Sequence, residues 1–343
     1  ASASDLTLAK RLKENAGVAF QGGVLVGEFD IPGELARIWL REPLNPNGRP
    51  NSDVVRPYAN ARDLVGLARD RWVIDFFVRT EGEAAFYEIP FQWVREHVYP
   101  FRKNNNRERR RRFWWRHGDV TPKLWNAVGD LPNYILTPRV AKHRVFIRIS
   151  SLIVPDSRVF AFTKSDYLLF GFLGSAFHEN WTLGTCSWHG VGNDPTYNNE
   201  SVFETFPFPE GLTPNRPAAS YADDPRAQRI AAAAKALDEK RRAWLNPPDL
   251  VDIVPEIVPT AAPGEAPVKY PDRILPKNAD AARKLKDRTL TNLYNQRPQW
   301  LAALHDDLDR AVAAAYGWPE DISTDDALAR LLALNLERAA AGR

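Results

Sequence analysis

Short apolar runs with strand-like composition dominate the first part of the chain. These runs are rich in β-branched and aromatic side chains, a composition typical of strands. They are residues 23–29, 72–76, 134–140, 143–150 and 158–163. In the fourth run, Val145, Ile147 and Ile149 occupy every second position, which predicts a strand with one apolar face.

Helical stretches interrupt these strands and take over after residue 225. The predicted helices are residues 91–99, 107–115, 165–181 and 225–245, followed by stretches near 279–294, 298–316 and 324–341. Ser323 or Thr324 is placed to cap the last helix, with Asp325 and Asp326 in its first turn. The eight prolines in residues 247–276 predict an extended, irregular crossing.

Together these patterns predict an α+β fold: a β-rich domain with inserted helices, followed by an α-helical C-terminal region.

We find no run of eighteen apolar residues and no apolar N-terminal stretch, so neither a membrane span nor a signal peptide is expected. The single cysteine, Cys186, excludes an internal disulfide and fits a reducing cytoplasm. The absence of methionine indicates a segment of a longer chain.

Charge is unevenly distributed along the chain. The formal net charge of +3 is too small to indicate nucleic-acid binding by itself. Residues 101–116, however, hold eight Lys and Arg against one acid, Glu108. Guanidinium groups pair well with phosphate oxygens, so this segment is a candidate for phosphate contacts. The alternative is a solvated or acid-paired helix face.

The polar loop at residues 187–197 is a second candidate for chemistry. It combines glycines with His, Asn, Asp, Thr and Tyr side chains, which can form hydrogen bonds with base edges. On composition alone, an ordinary surface loop with a turn at Asn193-Asp194-Pro195 explains it better.

Residues 246–249, Asn-Pro-Pro-Asp, are similar to the Asn/Asp-Pro-Pro-aromatic motif with which amino-methyltransferases hold a flipped base. Asp249 cannot stack on a base, and a charged helix end precedes the segment. We therefore interpret it as a helix stop.

Other familiar site motifs are missing from the sequence. Phe20-Gln-Gly-Gly23 is not a cofactor loop, because no helical pattern follows it. The scattered histidines and the lone cysteine do not have zinc spacing. We interpret Asp53, Asp63 and Asp75 as turn and cap residues rather than metal ligands.

The order of these pieces resembles the target-recognition region and helical C-terminus of MmeI-like, type IIL DNA adenine methyltransferases. Methylases of DISARM-type phage-defence systems look similar. The first matching stretches are Ala16-Gly-Val-Ala-Phe-Gln-Gly22, Arg49-Pro-Asn-Ser-Asp-Val-Val-Arg-Pro-Tyr58, Arg71-Trp-Val-Ile-Asp-Phe76, Ala84-Ala-Phe-Tyr-Glu88 and Tyr134-Ile-Leu-Thr-Pro-Arg-Val-Ala-Lys-His-Arg144. The most specific are Gly190-Val-Gly-Asn-Asp-Pro195 with Phe203-Glu-Thr-Phe-Pro-Phe-Pro209, and Thr289-Leu-Thr-Asn-Leu-Tyr-Asn295 with Ala315-Tyr-Gly-Trp318.

The resemblance implies sequence-specific recognition of duplex DNA as the specificity part of an N6-adenine DNA methyltransferase in a restriction–modification or phage-defence system. It places S-adenosylmethionine and the catalytic motifs in an upstream domain, and no catalytic residue, metal site or cofactor in this chain. The implied partners are double-stranded DNA and an upstream methyltransferase domain or chain, without a membrane and in the cytoplasm.

The resemblance also implies site residues at the level of segments. The base-reading positions it implies are Ser187, Trp188, His189, Asn193, Asp194, Thr196, Tyr197, Thr163, Lys164 and His143. The phosphate-contacting positions are Arg102, Lys103, Arg107, Arg109, Arg110, Arg111, Arg112, Arg116, Arg139, Lys142 and Arg144. Residues 186–189 depart from the commoner pattern of this family. Such a departure is expected of a specificity segment, because proteins that recognise different sites must differ there.

With the resemblance, the chain divides into five predicted segments. Residues 1–15 connect to the missing catalytic domain, and residues 16–212 form the DNA target-recognition domain. A helical spacer at 213–246 and a Pro-rich linker at 247–276 lead to a C-terminal helical domain at 277–343.

Three other interpretations stay open at the level of sequence. The chain is alternatively a stand-alone specificity subunit that pairs with a separate methylase, which a check of the parent reading frame would decide. It is alternatively an RNA- or single-strand-binding module that uses Trp114, Trp115, Trp188 and Tyr197 as stacking platforms. The third interpretation is an α+β domain whose arginines form only surface ion pairs.

Overall fold

The strands form two four-stranded sheets and two separate hairpins, which a computed structural model describes over residues 4–189 and 194–343. The strands are β1 (Ala19–Gln21), β2 (Asp30–Pro32), β3 (Val55–Ala59), β4 (Arg71–Ile74), β5 (Asn133–Pro138), β6 (Ile147–Ser150), β7 (Val154–Pro155), β8 (Val159–Phe162), β9 (Ser187–His189), β10 (Asp194–Thr196), β11 (Val251–Ile257) and β12 (Lys269–Pro276). The first sheet has the antiparallel order β1-β8-β5-β6. The second has the order β2-β4-β3-β7, with β7 parallel to β3. Strands β9 and β10 pair as one hairpin, and β11 and β12 as the other.

Helices cover the sheets and form most of the last third of the chain. They are α1 (Gly33–Leu40), α2 (Ala61–Val65), α3 (Glu81–Ala85), α4 (Glu88–His97), α5 (Tyr99–Arg102), α6 (Glu108–Arg112), α7 (Pro122–Val128), α8 (Tyr167–Gly174), α9 (Ala176–Thr185), α10 (Pro225–Leu245), α11 (Ala279–Lys286), α12 (Leu290–Gln296), α13 (Gln299–Ala315) and α14 (Thr324–Ala340). Short 3-10 turns lie at Leu6–Leu8, Lys13–Asn15, Asn51–Asp53 and Ala218–Ser220, and a π turn at Asn199–Phe203. The predicted α+β class and helical C-terminal region are confirmed. Within the described ranges, no helix has both the length and the apolar character needed to cross a membrane.

Both faces of the first sheet are buried, and the alternation of side chains along its central strands explains how. Ile135 and Phe162 face the core shared with α8, α9 and the C-terminal helices. Their neighbours Leu136 and Ala161 face the opposite core, which α2 and α7 cover. A strand buried on both faces has few polar positions, so residues 134–138 are almost continuously apolar.

The C-terminal helices complete the core of the first sheet. Leu293, Leu308 and Leu331 lie on α12, α13 and α14, and all three belong to the same apolar cluster as the sheet. Helix α8 approaches α10 closely at Gly171, where a Cβ atom would lie 2.5 Å from Cγ2 of Ile230. The segment boundaries at residues 213, 247 and 277 stay predictions, and apolar packing runs across all three.

Aromatic side chains form a separate core around the second sheet. Trp114 and Trp115 turn inward and are 8% and 6% exposed. Tyr270 of β12 packs against Trp72 of β4, with ring centroids 4.9 Å apart. The β11–β12 hairpin is thereby anchored on this second core.

That hairpin corrects the expectation of an irregular crossing at residues 247–276. Its strands pair over most of their length, with a register shift between Val254 and Glu256. Pro255 occupies this irregularity, where the missing N–H costs no ladder hydrogen bond. A high proline count therefore did not prevent pairing, because bulges and edge positions accept proline.

Several other predicted elements differ in extent, and the clearest differences are these. Residues 23–29 form only isolated bridges at Gly23 and Val24, and the strand of this region is the earlier β1. The helix predicted at 107–115 is limited to α6. The helix predicted at 165–181 is divided at Ser175, whose extended backbone ends α8 and whose hydroxyl accepts from His178 N at the start of α9. The cap at Ser323 is confirmed: its Oγ accepts from Asp326 N at 3.2 Å.

Gly22 provides a test of the packing between β1 and the loop after β7. A Cβ atom there would lie 2.2 Å from the carbonyl oxygen of Asp156, and backbone atoms cannot move aside as a flexible side chain can. We expect Gly22→Ala to lower the free energy of unfolding by about 1–3 kcal/mol. The control is Gly82→Ala in α3, where nothing lies within 4 Å. It should be neutral or stabilise by up to about 1 kcal/mol. Equal effects of the two substitutions in denaturant unfolding would contradict this packing.

Candidate nucleic-acid interface

The loop between β5 and β6 is joined to the β9–β10 hairpin, so two segments far apart in sequence lie side by side. Val140 pairs with Thr196 in an isolated antiparallel bridge. Tyr197 N donates to the carbonyl oxygen of Arg139 at 2.7 Å, and Ala141 N donates to that of Pro195 at 3.5 Å. We call this end of the first sheet, with residues 139–146 and the β9–β10 hairpin, the reading end.

Arg144 connects the two segments from inside. Its guanidinium donates to the carbonyl oxygens of Pro138 and Arg139 and to Pro195 of β10, the last at 3.1 Å. The side chain is buried, and burial lowers the pKa of Arg144 to about 10. The expected phosphate contact of Arg144 is therefore corrected: in this structure it is an internal connector whose charge is solvated by carbonyl dipoles.

Two of the expected base-reading residues are also internal. Tyr197 is fully buried and Thr196 is 3% exposed. The Tyr197 hydroxyl lies 2.9 Å from Nε2 of His178, and its ring packs against Phe146. Burial, with a smaller effect of the Arg144 charge, lowers the pKa of His178 to about 3. These side chains hold the reading end in place and do not reach its surface.

The exposed side chains of the reading end are a smaller set than the sequence indicated. Ser187, Trp188 and His189 of β9 are exposed, as are Arg139 and Lys142 of the neighbouring loop. Asp194 and His143 are half-buried, and Asn193 lies outside the described residues. Lys142 Nζ and His143 Nε2 both lie within 2.9 Å of Asn295 Oδ1 at the end of α12.

The structure does not bring Thr163 and Lys164 to this end. Val159 of β8 pairs with Pro138, next to the reading end, whereas Phe162 pairs with Ile135. Residues 163 and 164 therefore follow the opposite end of β8. There, Lys164 Nζ donates to the carbonyl oxygen of Arg216 at 2.6 Å. The expectation that Thr163 and Lys164 share a base-reading surface with residues 139–143 is therefore wrong, because the strand register places them at opposite ends of the sheet.

The basic segment at residues 101–116 divides into a buried and an exposed part. Arg102 is fully buried and donates to the carbonyl oxygens of Val26 at 2.7 Å and Leu25 at 2.8 Å. Arg116 is half-buried and donates to those of Arg79 and Val78. The expectation that Arg102 contacts a phosphate directly is therefore wrong, because its guanidinium is buried and bonded to backbone carbonyl oxygens. The exposed members are Lys103, Arg107, Arg109, Arg111 and Arg112, and Arg110 is half-buried.

Backbone hydrogen bonds connect the reading end to the basic segment. Arg139 N donates to Arg158 O at 2.8 Å, and Gly23 N donates to Pro155 O at 3.2 Å. The strand-like segment after Gly23 then continues to Val26, which Arg102 holds. Arg158 is an exposed cation at the reading end, paired with Asp156, and sequence reasoning missed it. The only feature of the sequence that could have pointed to Arg158 is the turn at residues 156–158, and this turn contains no recognisable motif.

The carboxylates that a metal site would need have structural partners. Asp63 accepts from Asn60 N at 2.9 Å in a capping box, as the cap interpretation predicted. In residues 4–189 and 194–343, no group of three or more His, Cys, Asp or Glu side chains is arranged to hold a metal ion. Helix α10 ends at Leu245 with Asn246 as its cap residue, so the helix-stop interpretation of residues 246–249 is confirmed.

Comparison with known proteins supports the resemblance at the level of fold. The chain is similar to a solved structure of the type IIL restriction–modification enzyme MmeI in complex with DNA, with a TM-score of 0.63 and 15% sequence identity. The match covers 94% of this chain and 36% of that one, so the chain spans about a third of MmeI. No family model matches the chain, and no curated protein does.

Arg144 can be tested as the connector of the reading end. Arg144→Met leaves several buried carbonyl oxygens without donors, so we expect the free energy of unfolding to fall by about 1–3 kcal/mol. Hydrogen exchange should rise at residues 194–197. Arg139→Met removes a neighbouring exposed arginine and is the control, with little change expected in either measurement. Unchanged exchange in Arg144→Met would show that the hairpin is held by other contacts.

His178 provides a test of burial through pH. The folded protein favours neutral His178, whereas the unfolded chain takes up a proton near pH 6.5. Its stabilising contribution is complete above that value and is lost as the pH falls toward 3. We therefore expect the free energy of unfolding of His178→Gln to depend less steeply on pH between 6 and 4, by roughly 1 kcal/mol per pH unit. Parallel curves for variant and wild type would contradict a buried neutral histidine.

Proposed function

We propose that this chain recognises a sequence in duplex DNA as the specificity part of an N6-adenine DNA methyltransferase of a restriction–modification or phage-defence system. The observation that carries the proposal is the joining of residues 139–144 to the β9–β10 hairpin. These two segments, both implied by the resemblance to contact DNA, form one surface with exposed hydrogen-bonding side chains. The fold shared with MmeI, which was solved in complex with DNA, supports the same function.

The shape of the reading end suits the major groove. That groove is about 12 Å wide and admits a two-stranded β-ribbon, and its base edges carry a distinct pattern of donors and acceptors. The β9–β10 hairpin is such a ribbon, with Ser187 and His189 exposed on one strand. Arg139 and Lys142 lie beside it as cations for the flanking phosphates. The exposed arginines of α6 add sequence-independent affinity.

The methylation step belongs in this proposal to another domain or chain. That part would bind S-adenosylmethionine and transfer its methyl group to the N6 amino group of an adenine extruded from the duplex. This chain would determine which adenine is presented, because it sets the register on the DNA. The proposal retains residues 16–212 as the recognition domain, and the C-terminal helices support it through the shared core.

Burial of the aromatic side chains disfavours single-strand or RNA binding. Trp114, Trp115 and Tyr197 would have to stack on bases, and all three are buried in apolar cores. Trp188 alone of the four expected platforms is exposed, at 46%. One exposed ring does not form a path for a single strand, so duplex DNA is the substrate we propose.

Selection from a randomised duplex pool tests the proposal directly. The purified chain is incubated with the pool at two salt concentrations, and the bound fraction is sequenced. We expect an enriched motif of several base pairs that persists at the higher salt. If no motif is enriched and binding disappears at the higher salt, the chain contacts phosphates without recognising bases. A preference for single-stranded competitor would overturn duplex recognition altogether.

Substitution of His189 tests whether the reading end contacts the bases. If its imidazole contacts a base edge, His189→Ala should relax one position of the selected motif, lowering discrimination there by roughly fivefold to a hundredfold. Lys286→Ala, at an exposed position on α11, is the control and should leave the motif unchanged. Selection of the same motif by both variants would place base recognition elsewhere.

A further inference from the structure

A small pocket lies between α6 and residues 116–120, apart from the reading end. Its volume is about 80 Å³, and its wall includes Arg102, Arg109, Arg110, Arg116 and His117. Since a liquid water molecule occupies about 30 Å³, the pocket has room for a group the size of two or three waters.

The charges around this pocket are unbalanced. Four arginines line it, and no acidic residue among the described ones does. Asp75 lies behind the wall, with Oδ1 3.7 Å from Nδ1 of His117. Burial, and after it the Arg110 charge, lowers the pKa of Arg102 to about 10. Burial and the Arg109 charge lower the pKa of Arg116, against a smaller opposing effect of Glu83. Like charges thus repel each other across a space in which an anion would be stabilised.

Two arginines of the pocket already donate hydrogen bonds to the protein, and the other two are available to bind an anion. Arg102 and Arg116 direct their N–H groups to backbone carbonyl oxygens. The side chains of Arg109 and Arg110 donate no hydrogen bond to any residue of the ranges 4–189 and 194–343. A guanidinium fork matches two oxygens of a phosphate group, and two such forks at one pocket can hold one phosphate.

We propose that this pocket binds a single phosphate group of the DNA backbone, with Arg109 and Arg110 as its ligands and Arg102 as a buried charge beneath it. One phosphate held at a defined place would set the register of the duplex relative to the reading end. The source of the phosphate rests on the proposed function, but the pocket itself does not.

The first experiment uses inorganic phosphate as the probe and the full chain as the protein. Arginine side-chain resonances are followed by NMR during a phosphate titration at constant ionic strength. We expect saturable shifts in the wild type and their loss in the double variant Arg109→Ala/Arg110→Ala. The control Arg107→Ala/Arg112→Ala removes the same charge from the same segment without changing the pocket wall, and it should keep the saturable shifts. Shifts that do not saturate, or that both variants lose equally, would overturn the pocket.

The second experiment identifies the phosphate source. Single methylphosphonate substitutions are placed along a bound duplex, each removing one backbone charge. One position should weaken binding to the wild type about tenfold or more, as expected for hydrogen bonds to a charged group. The same position should have little effect on Arg109→Ala/Arg110→Ala. If the duplex binds but no position behaves in this way, backbone binding by this pocket is wrong. If the chain binds inorganic phosphate but no duplex, the proposed function fails while the anion pocket stands.

Discussion

The burial of the first sheet on both faces is the constraint on which the rest of the structure depends. Because β5 and β8 present apolar side chains alternately to two cores, the sheet needs helices on each side. Helices α2 and α7 cover one side, and helices from the distant C-terminal part cover the other. Apolar burial of this extent is the largest stabilising contribution in a folded domain. The loops at the ends of the strands are consequently held by both layers.

Buried arginines organise the surface that we assign to DNA. Arg102 and Arg144 each place a guanidinium among backbone carbonyl oxygens instead of beside a carboxylate. A buried charge is costly unless hydrogen bonds compensate it, so each arginine holds several loop carbonyls at defined positions, although Nε of Arg144 has no partner in the described part of the chain. In this way Arg144 joins two segments of the reading end, and Arg102 holds the segment beneath α6. In the proposed complex with DNA, the exposed arginines contact the phosphates from this base.

In the proposed function, the two predicted DNA-contacting regions have different physical roles. The reading end offers polar and aromatic side chains on a hairpin, which suits contact with base edges. The basic segment offers charge and a small pocket, which suits the phosphate backbone. A chain of backbone hydrogen bonds through residues 139, 158 and 23 links them, so one duplex could be oriented by both.

The sequence by itself determined the α+β class, most helix positions, the cap at Ser323 and the basic and polar segments, because these follow from local periodicity and composition. It did not determine which arginines are exposed: Arg102 and Arg109 are chemically identical, and only packing places one inside and the other outside. Nor did it predict the β11–β12 hairpin or the contact of Val140 with Thr196. These depend on pairing between distant residues. Strand register also decided that Lys164 lies away from the reading end, since hydrogen bonds between strands, not spacing along the chain, determine which loops meet.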